Sequence, residues 1–212
     1  MIKHAEIAPG PNSNFAIAHF TSWIPDDVPI KGVVVMVPGS NGNGRGWIYR
    51  PRWKRFALLH NLALVGCHFE DKSPSSAEWY ADASGGSGQA LLEALEGFGL
   101  GAPPLLLWGF SAGGEFNYEF TCWRPDKVKV FVVNKGGFYY TALAPEAARQ
   151  VPGIWFIGGA DALFRRNILH GIFDMNNALG TNWIKNVEPV EHIVGGSEHA
   201  SMQLFEEVLK DV

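Results

Sequence analysis

Cysteine is scarce in this 212-residue chain, which holds only Cys67 and Cys122. Two thiols make no disulfide framework, and neither has the spacing of a metal site, so two free, mostly buried thiols and no metal are expected. Long hydrophobic runs are absent too: none approaches the roughly 20 apolar residues of a membrane-spanning helix. The opening Met1-Ile2-Lys3-His4-Ala5-Glu6 lacks the apolar core of a signal peptide. A cytoplasmic setting is therefore the default expectation, with a trimmed secreted form left open. No excess of one charge exists either, with 17 Lys and Arg against 21 Asp and Glu for a net charge of −4. That balance gives no reason to expect nucleic acid or an anionic membrane as partner. No internal repeat or low-complexity linker divides the chain, and no signal of oligomeric state is present.

What remains is a chain that is 47% hydrophobic, long enough for one domain over residues 1–212 with a substantial core. Short apolar runs alternate with helical stretches, the pattern of an α/β protein with a largely parallel sheet and helices on both faces. Strands are expected at Ile2–Ile7, Phe15–Phe20, Val33–Val37, Ala63–His68, Leu105–Trp108, Val130–Val133, Ile154–Ile157 and within Trp183–Ile193. Helices are expected at Trp53–His60, from an N-cap at Ser87 to Glu96, and at Ala112–Trp123, Ala162–Leu179 and His199–Lys210.

The most informative stretch is Leu105-Leu106-Leu107-Trp108-Gly109-Phe110-Ser111-Ala112-Gly113-Gly114. It reads as a strand buried on both faces, a Gly-x-Ser-x-Gly turn and a helix. A serine on so sharp a turn needs neighbours without Cβ groups, and its hydroxyl then stands exposed beside the positive end of the helix. Ser111 is the candidate nucleophile. A base and an orienting acid are also needed. Asp161 follows the apolar run Ile154-Trp155-Phe156-Ile157, just past a strand end, where open α/β sheets gather their sites. His199 lies after Gly195-Gly196-Ser197-Glu198, at a loop–helix junction, and is taken as the base. His192 is the competing base, but its place in an apparent strand favours a structural role. Asp161 has a competing role as helix cap. Asp174, Glu188 and Glu191 are fallback acids with poorer placement, and Glu198 reads as solvated.

Val33–Val37 with Pro38-Gly39-Ser40-Asn41-Gly42, then Gly109–Gly113, Asp161 and His199, together resemble the α/β-hydrolase superfamily. Its compact esterase branch, with polyhydroxybutyrate-depolymerase-like and feruloyl-esterase-like enzymes, is the nearest likeness, extending from Val33 to the C-terminus. The resemblance implies an α/β-hydrolase fold of about eight strands and a Ser111–Asp161–His199 catalytic triad. It also implies an oxyanion hole built from the backbone N–H groups of Ser40 and Ala112. The chain departs from the pattern in one place, carrying Pro38-Gly39 where many members have His-Gly; a backbone donor survives that change. The implied activity is a serine esterase that cleaves a small-molecule carboxylic ester through an acyl-enzyme, without cofactor. A peptidase or thioesterase with the same triad, or a catalytically silent binding protein on this fold, are the alternatives.

The loop Gly39-Ser40-Asn41-Gly42-Asn43-Gly44-Arg45-Gly46 also follows a strand, as a nucleotide-binding loop would. It has no Gly-Lys-Ser/Thr ending, its glycines miss Gly-x-Gly-x-x-Gly, and no acid lies about 20 positions on. Between Val133 and Ile154 there is no room for a large cap, which suggests an open cleft. Trp47, Phe110, Tyr139 and Phe164 are the candidate substrate-binding aromatics, with Tyr49, Trp79, Tyr80 and Tyr140 in the same loops. Packing is the competing role for each. Arg45, Arg50, Arg52, Lys54 and Arg55 read as a solvated basic face, with Arg45 gripping a substrate carboxylate as the other reading.

Overall fold

Eight strands build one sheet in a computed structural model that describes residues 1–73 and 78–210. They are β1 (Ile2–Glu6), β2 (Ile17–Trp23), β3 (Gly32–Val37), β4 (Leu62–Glu70), β5 (Leu105–Gly109), β6 (Val128–Asn134), β7 (Gly153–Gly158) and β8 (Trp183–Glu188). Their order is β1-β2-β4-β3-β5-β6-β7-β8. β1 pairs antiparallel with β2, and β2 with β4. All later pairings are parallel. All eight expected strands are present, and the helices flank them: α1 (Pro51–His60), α2 (Ser87–Phe98), α3 (Ala112–Trp123), α4 (Glu146–Gln150), α5 (Leu163–Asn177) and α6 (Ser197–Leu209).

The central strands are buried on both faces, which is why their sequences run apolar without alternation. Side-chain direction alternates along each strand and so sorts one apolar run into two cores. Val33, Val35, Val37, Leu105 and Leu107 pack with α2, α3 and α5 through Leu91, Phe116 and Phe173. Val34, Met36, Leu106 and Trp108 pack on the opposite face with α1 and α6 through Trp53, Phe56 and Phe205. Burying each such side chain fully is worth about 1.5–3 kcal/mol, so a charged residue at Val35 or Leu106 would disrupt the domain.

Several boundaries differ from the sequence reading. β2 begins at Ile17 rather than Phe15 because Asn14 is committed to a loop: its amide donates to Trp79 O and Asp82 O. Ser87 is the first residue of α2, not its cap; Gly86 holds the cap position, and the Ser87 hydroxyl donates to Tyr80 O at 2.6 Å. β8 stops at Glu188, because Pro189 has no N–H to continue the ladder. α6 starts at Ser197, two residues earlier than expected. Both shifts bear on the site. Cys67 and Cys122 are free, and burial pushes both thiols up. Among the described residues, no helix is long and apolar enough to cross a membrane.

Candidate active site

Ser111 sits between β5 and α3 with φ 55° and ψ −125°, a conformation that non-glycine residues seldom adopt. The surrounding backbone over-determines it. Phe110 N–H donates to Val37 O, Ser111 N–H to Asn134 O at 2.8 Å, and Gly114 N–H to Ser111 O at 2.8 Å. The motif glycines are required by close approach: a Cβ on Gly109 would fall 2.2 Å from Gly113 O, and one on Gly113 would fall 2.0 Å from Val37 O. Strain at a serine held this firmly is a mark of functional sites.

The His192 imidazole bridges the serine and the acid. Its Nε2 lies 3.0 Å from Ser111 Oγ and its Nδ1 lies 2.9 Å from Asp161 Oδ2. With Nδ1 protonated, the ring donates to the carboxylate and accepts the serine proton, the tautomer that this pair of contacts selects. Phe110 packs its ring against the imidazole, with centroids 4.9 Å apart. Asp161 follows β7 and is buried, with 7% exposure. Its other oxygen, Oδ1, accepts from Ala162 N–H at 2.7 Å and from Arg165 Nη1 at 2.9 Å. The carboxylate therefore receives a helix-end N–H with one oxygen while the other faces His192. Burial acts to raise its pKa, but the bonds from His192 and Ala162 and the Arg165 charge outweigh burial, and the carboxyl lies below its usual value.

His199 takes no part in this arrangement, which corrects the sequence reading. It is exposed in the first turn of α6, and its side chain makes no hydrogen bond to a described residue. The earlier start of α6 removes it from the loop, while the stop at Pro189 releases His192 into one. Pro189 was the available signal. The loop is held over β7 by Ala160 N–H donating to Val190 O at 3.1 Å and Gly159 N–H to Glu188 O at 2.7 Å. The fallback acids are occupied or remote: Asp174 pairs with Lys185, Glu188 pairs with Lys135, and Glu191 is exposed.

The loop after β3 packs against the elbow, where a Cβ on Gly39 would sit 3.4 Å from Ser111 Cβ. Gly42 N–H closes a turn onto Gly39 O at 2.9 Å, and Asn41 N–H donates to Tyr80 Oη at 3.3 Å. The N–H groups of Ser40 and Ala112 donate to no described residue. Glu115, in the first turn of α3 and 1% exposed, accepts from Gly137 N–H at 2.5 Å and Phe138 N–H at 3.0 Å. Burial first, then the neighbouring Glu78, raises its carboxyl well above the usual value.

The candidate aromatics divide. Phe110 lies against the imidazole, and Phe164 is half exposed beside Arg165. Tyr139 packs against Tyr118 and Trp155 in the core, so its ring serves packing rather than an open cleft. Trp47 packs edge-on against Trp108 with Arg50 over its face, again as part of a core. The basic cluster is also more engaged than a solvated face. Arg50 pairs with Glu198 at 2.7 Å, Glu198 also accepts from Trp53 Nε1, and Arg45 Nε donates to Asn43.

Sheet order, elbow and helices together define the α/β-hydrolase fold. Solved structures agree along the whole chain. A ferulic acid esterase superposes with TM-score 0.70 at 12% identity, covering 99% of this chain and 98% of its own. An S-formylglutathione hydrolase from Agrobacterium tumefaciens gives TM-score 0.69 at 13% identity, covering 99% and 95%. The fluorophosphonate-binding serine hydrolase F of Staphylococcus aureus gives 0.65 at 14%, covering 99% and 98%. No family model and no curated protein matches the sequence.

Proposed function

We propose that the chain is a serine hydrolase of small carboxylic esters, with Ser111 as nucleophile, His192 as general base and Asp161 as orienting acid. The observation that carries this reading is the pair of imidazole contacts, 3.0 Å to Ser111 Oγ and 2.9 Å to Asp161 Oδ2. His192 Nε2 takes the hydroxyl proton as Ser111 Oγ attacks the carbonyl carbon, and Asp161 stabilises the imidazolium that forms. The unpartnered N–H groups of Ala112 and Ser40 receive the oxyanion; losing one such donor typically costs about 100- to 1,000-fold in rate. Protonated His192 then gives its proton to the departing alcohol, leaving an acyl-enzyme. Water, deprotonated by His192, attacks the acyl carbon and releases the acid and free Ser111.

The connection from β6 to β7, residues 135–152, contains only the five-residue α4, which supports a single domain with an uncovered cleft. Phe110 and the half-exposed Phe164 offer apolar surface near the triad. Thioesters are a second substrate class, since S-formylglutathione hydrolases share the fold. Hydrolysis of p-nitrophenyl acetate and butyrate by wild type and Ser111→Ala, with an S-acyl thiol substrate alongside, tests the reading. Turnover by wild type that vanishes in the variant is the expected result; equal turnover by both would overturn it.

A further inference from the structure

Under the histidine loop lies a buried charge that ester cleavage itself does not use. Lys135, the first residue after β6, has a fully buried side chain and a left-handed backbone at φ 59°. Its N–H donates to Phe156 O at 3.0 Å, which fixes it against β7. Its Nζ donates to Asn134 Oδ1 at 2.9 Å and forms an ion pair with Glu188.

Each of those two partners holds a different part of the site. Glu188 ends β8, and its Oε1 accepts from Gly196 N–H at 2.9 Å, just before α6. One carboxylate thus closes the loop 189–196 at both ends. The closure is tight, because a Cβ on Gly195 would fall 2.6 Å from Glu188 Oε2. The Asn134 side-chain amide donates to Val194 O at 3.2 Å and to Ser197 Oγ at 2.7 Å, while the backbone carbonyl of the same residue accepts Ser111 N–H at 2.8 Å. Asn134 therefore ties the nucleophile's backbone to the loop that carries His192.

We propose that Lys135 is a positioning residue: by orienting Asn134 and Glu188 together, it sets the placement of His192 between Ser111 and Asp161. The inference rests on the catalytic reading of those three residues. A buried ion pair is a poor source of net stability, since apolar replacements of both partners are often neutral or stabilising. Its physical effect is directional, fixing two acceptors around one cation. A reacting group displaced by about 1 Å can cost about 100-fold in rate, so a brace of this kind acts on kcat.

The test replaces the pair by apolar residues, Lys135→Met/Glu188→Leu, with the gentler Glu188→Gln beside it. Circular dichroism and thermal melts report folding, and p-nitrophenyl butyrate kinetics separate kcat from KM. The rate of fluorophosphonate labelling reports the reactivity of Ser111, and the imidazole N–H proton signal reports the His192–Asp161 bond. Expected for each variant that folds are a kcat reduced about 10- to 100-fold, slower labelling, an altered imidazole signal and KM within about threefold of wild type. A folded variant with kcat within twofold of wild type, or a loss confined to KM, overturns the role of Lys135 alone. Wild type that neither turns over nor labels, run beside Ser111→Ala, would instead sink the catalytic reading on which it rests.

Discussion

Asp161 divides its two oxygens between separate tasks: Oδ2 faces His192 Nδ1 at 2.9 Å, while Oδ1 accepts from Ala162 N–H and Arg165. The bonds on Oδ1 hold the carboxylate still, so the imidazole is oriented by a fixed acceptor. Asp161→Asn would keep the shape but present an amide in place of a charge. Its kcat on p-nitrophenyl butyrate should fall by several orders of magnitude, on the scale of about 10⁴ seen when another serine triad loses its acid this way. A decrease below tenfold would move the acid role elsewhere.

The two histidines separate cleanly. On the proposed mechanism, His192→Ala should reduce turnover at least about 1,000-fold, because it removes the imidazole that contacts Ser111 Oγ. His199→Ala, an exposed change in the first turn of α6, should leave kcat and KM within about twofold. Parallel kinetics of the two variants decide the matter, and the reverse ranking would restore His199.

How much of this was legible in the sequence depends on the range of the interactions involved. The central strands were readable because they are apolar on both faces, and the elbow because Gly109 and Gly113 are sterically obligatory. The histidine that meets Ser111 was misplaced by a boundary: apolar residues after Trp183 concealed that Pro189 ends β8, and Gly195-Gly196 drew attention to the other side of the loop. Lys135 gave no sequence signal at all. A lysine after a strand reads as a surface residue, and its partner Glu188 lies in a strand it meets only after the sheet has assembled. Tyr139 and Trp47 read equally well as cleft or core, because aromatic character does not encode direction.

Ser111 carries backbone strain that a glycine would not. At φ 55° and ψ −125°, Ser111→Gly should relieve steric cost while losing chain entropy, for a net change of about +1 kcal/mol or less in stability. Thermal melts should show a Tm equal to or up to about 4 °C above wild type, with esterase turnover gone. A Tm several degrees lower would mean the serine hydroxyl supports the fold.

Glu115 supplies the pH prediction. Its carboxyl is raised in the folded protein, chiefly by burial and then by Glu78, with the Tyr139 hydroxyl packed close to the same Gly136 turn. In the unfolded chain it ionises near the ordinary value of about 4.3. Above that pH the native state holds the extra proton, so this group's contribution to stability is complete at acid pH and declines as pH rises toward the folded value. Asp161 works in the opposite direction, since its lowered carboxyl stabilises the fold above about pH 4 and loses that effect as pH falls. Glu115→Gln keeps an acceptor for the Gly137 and Phe138 N–H groups but removes the titration. Urea melts from pH 4.5 to 8 should therefore show a shallower decline for the variant than for wild type. Glu115→Ala should lose about 1–3 kcal/mol at every pH, because the buried Gly137 N–H and the part-buried Phe138 N–H lose their acceptor. Identical pH slopes for Glu115→Gln and wild type would mean that Glu115 is ionised in the folded protein.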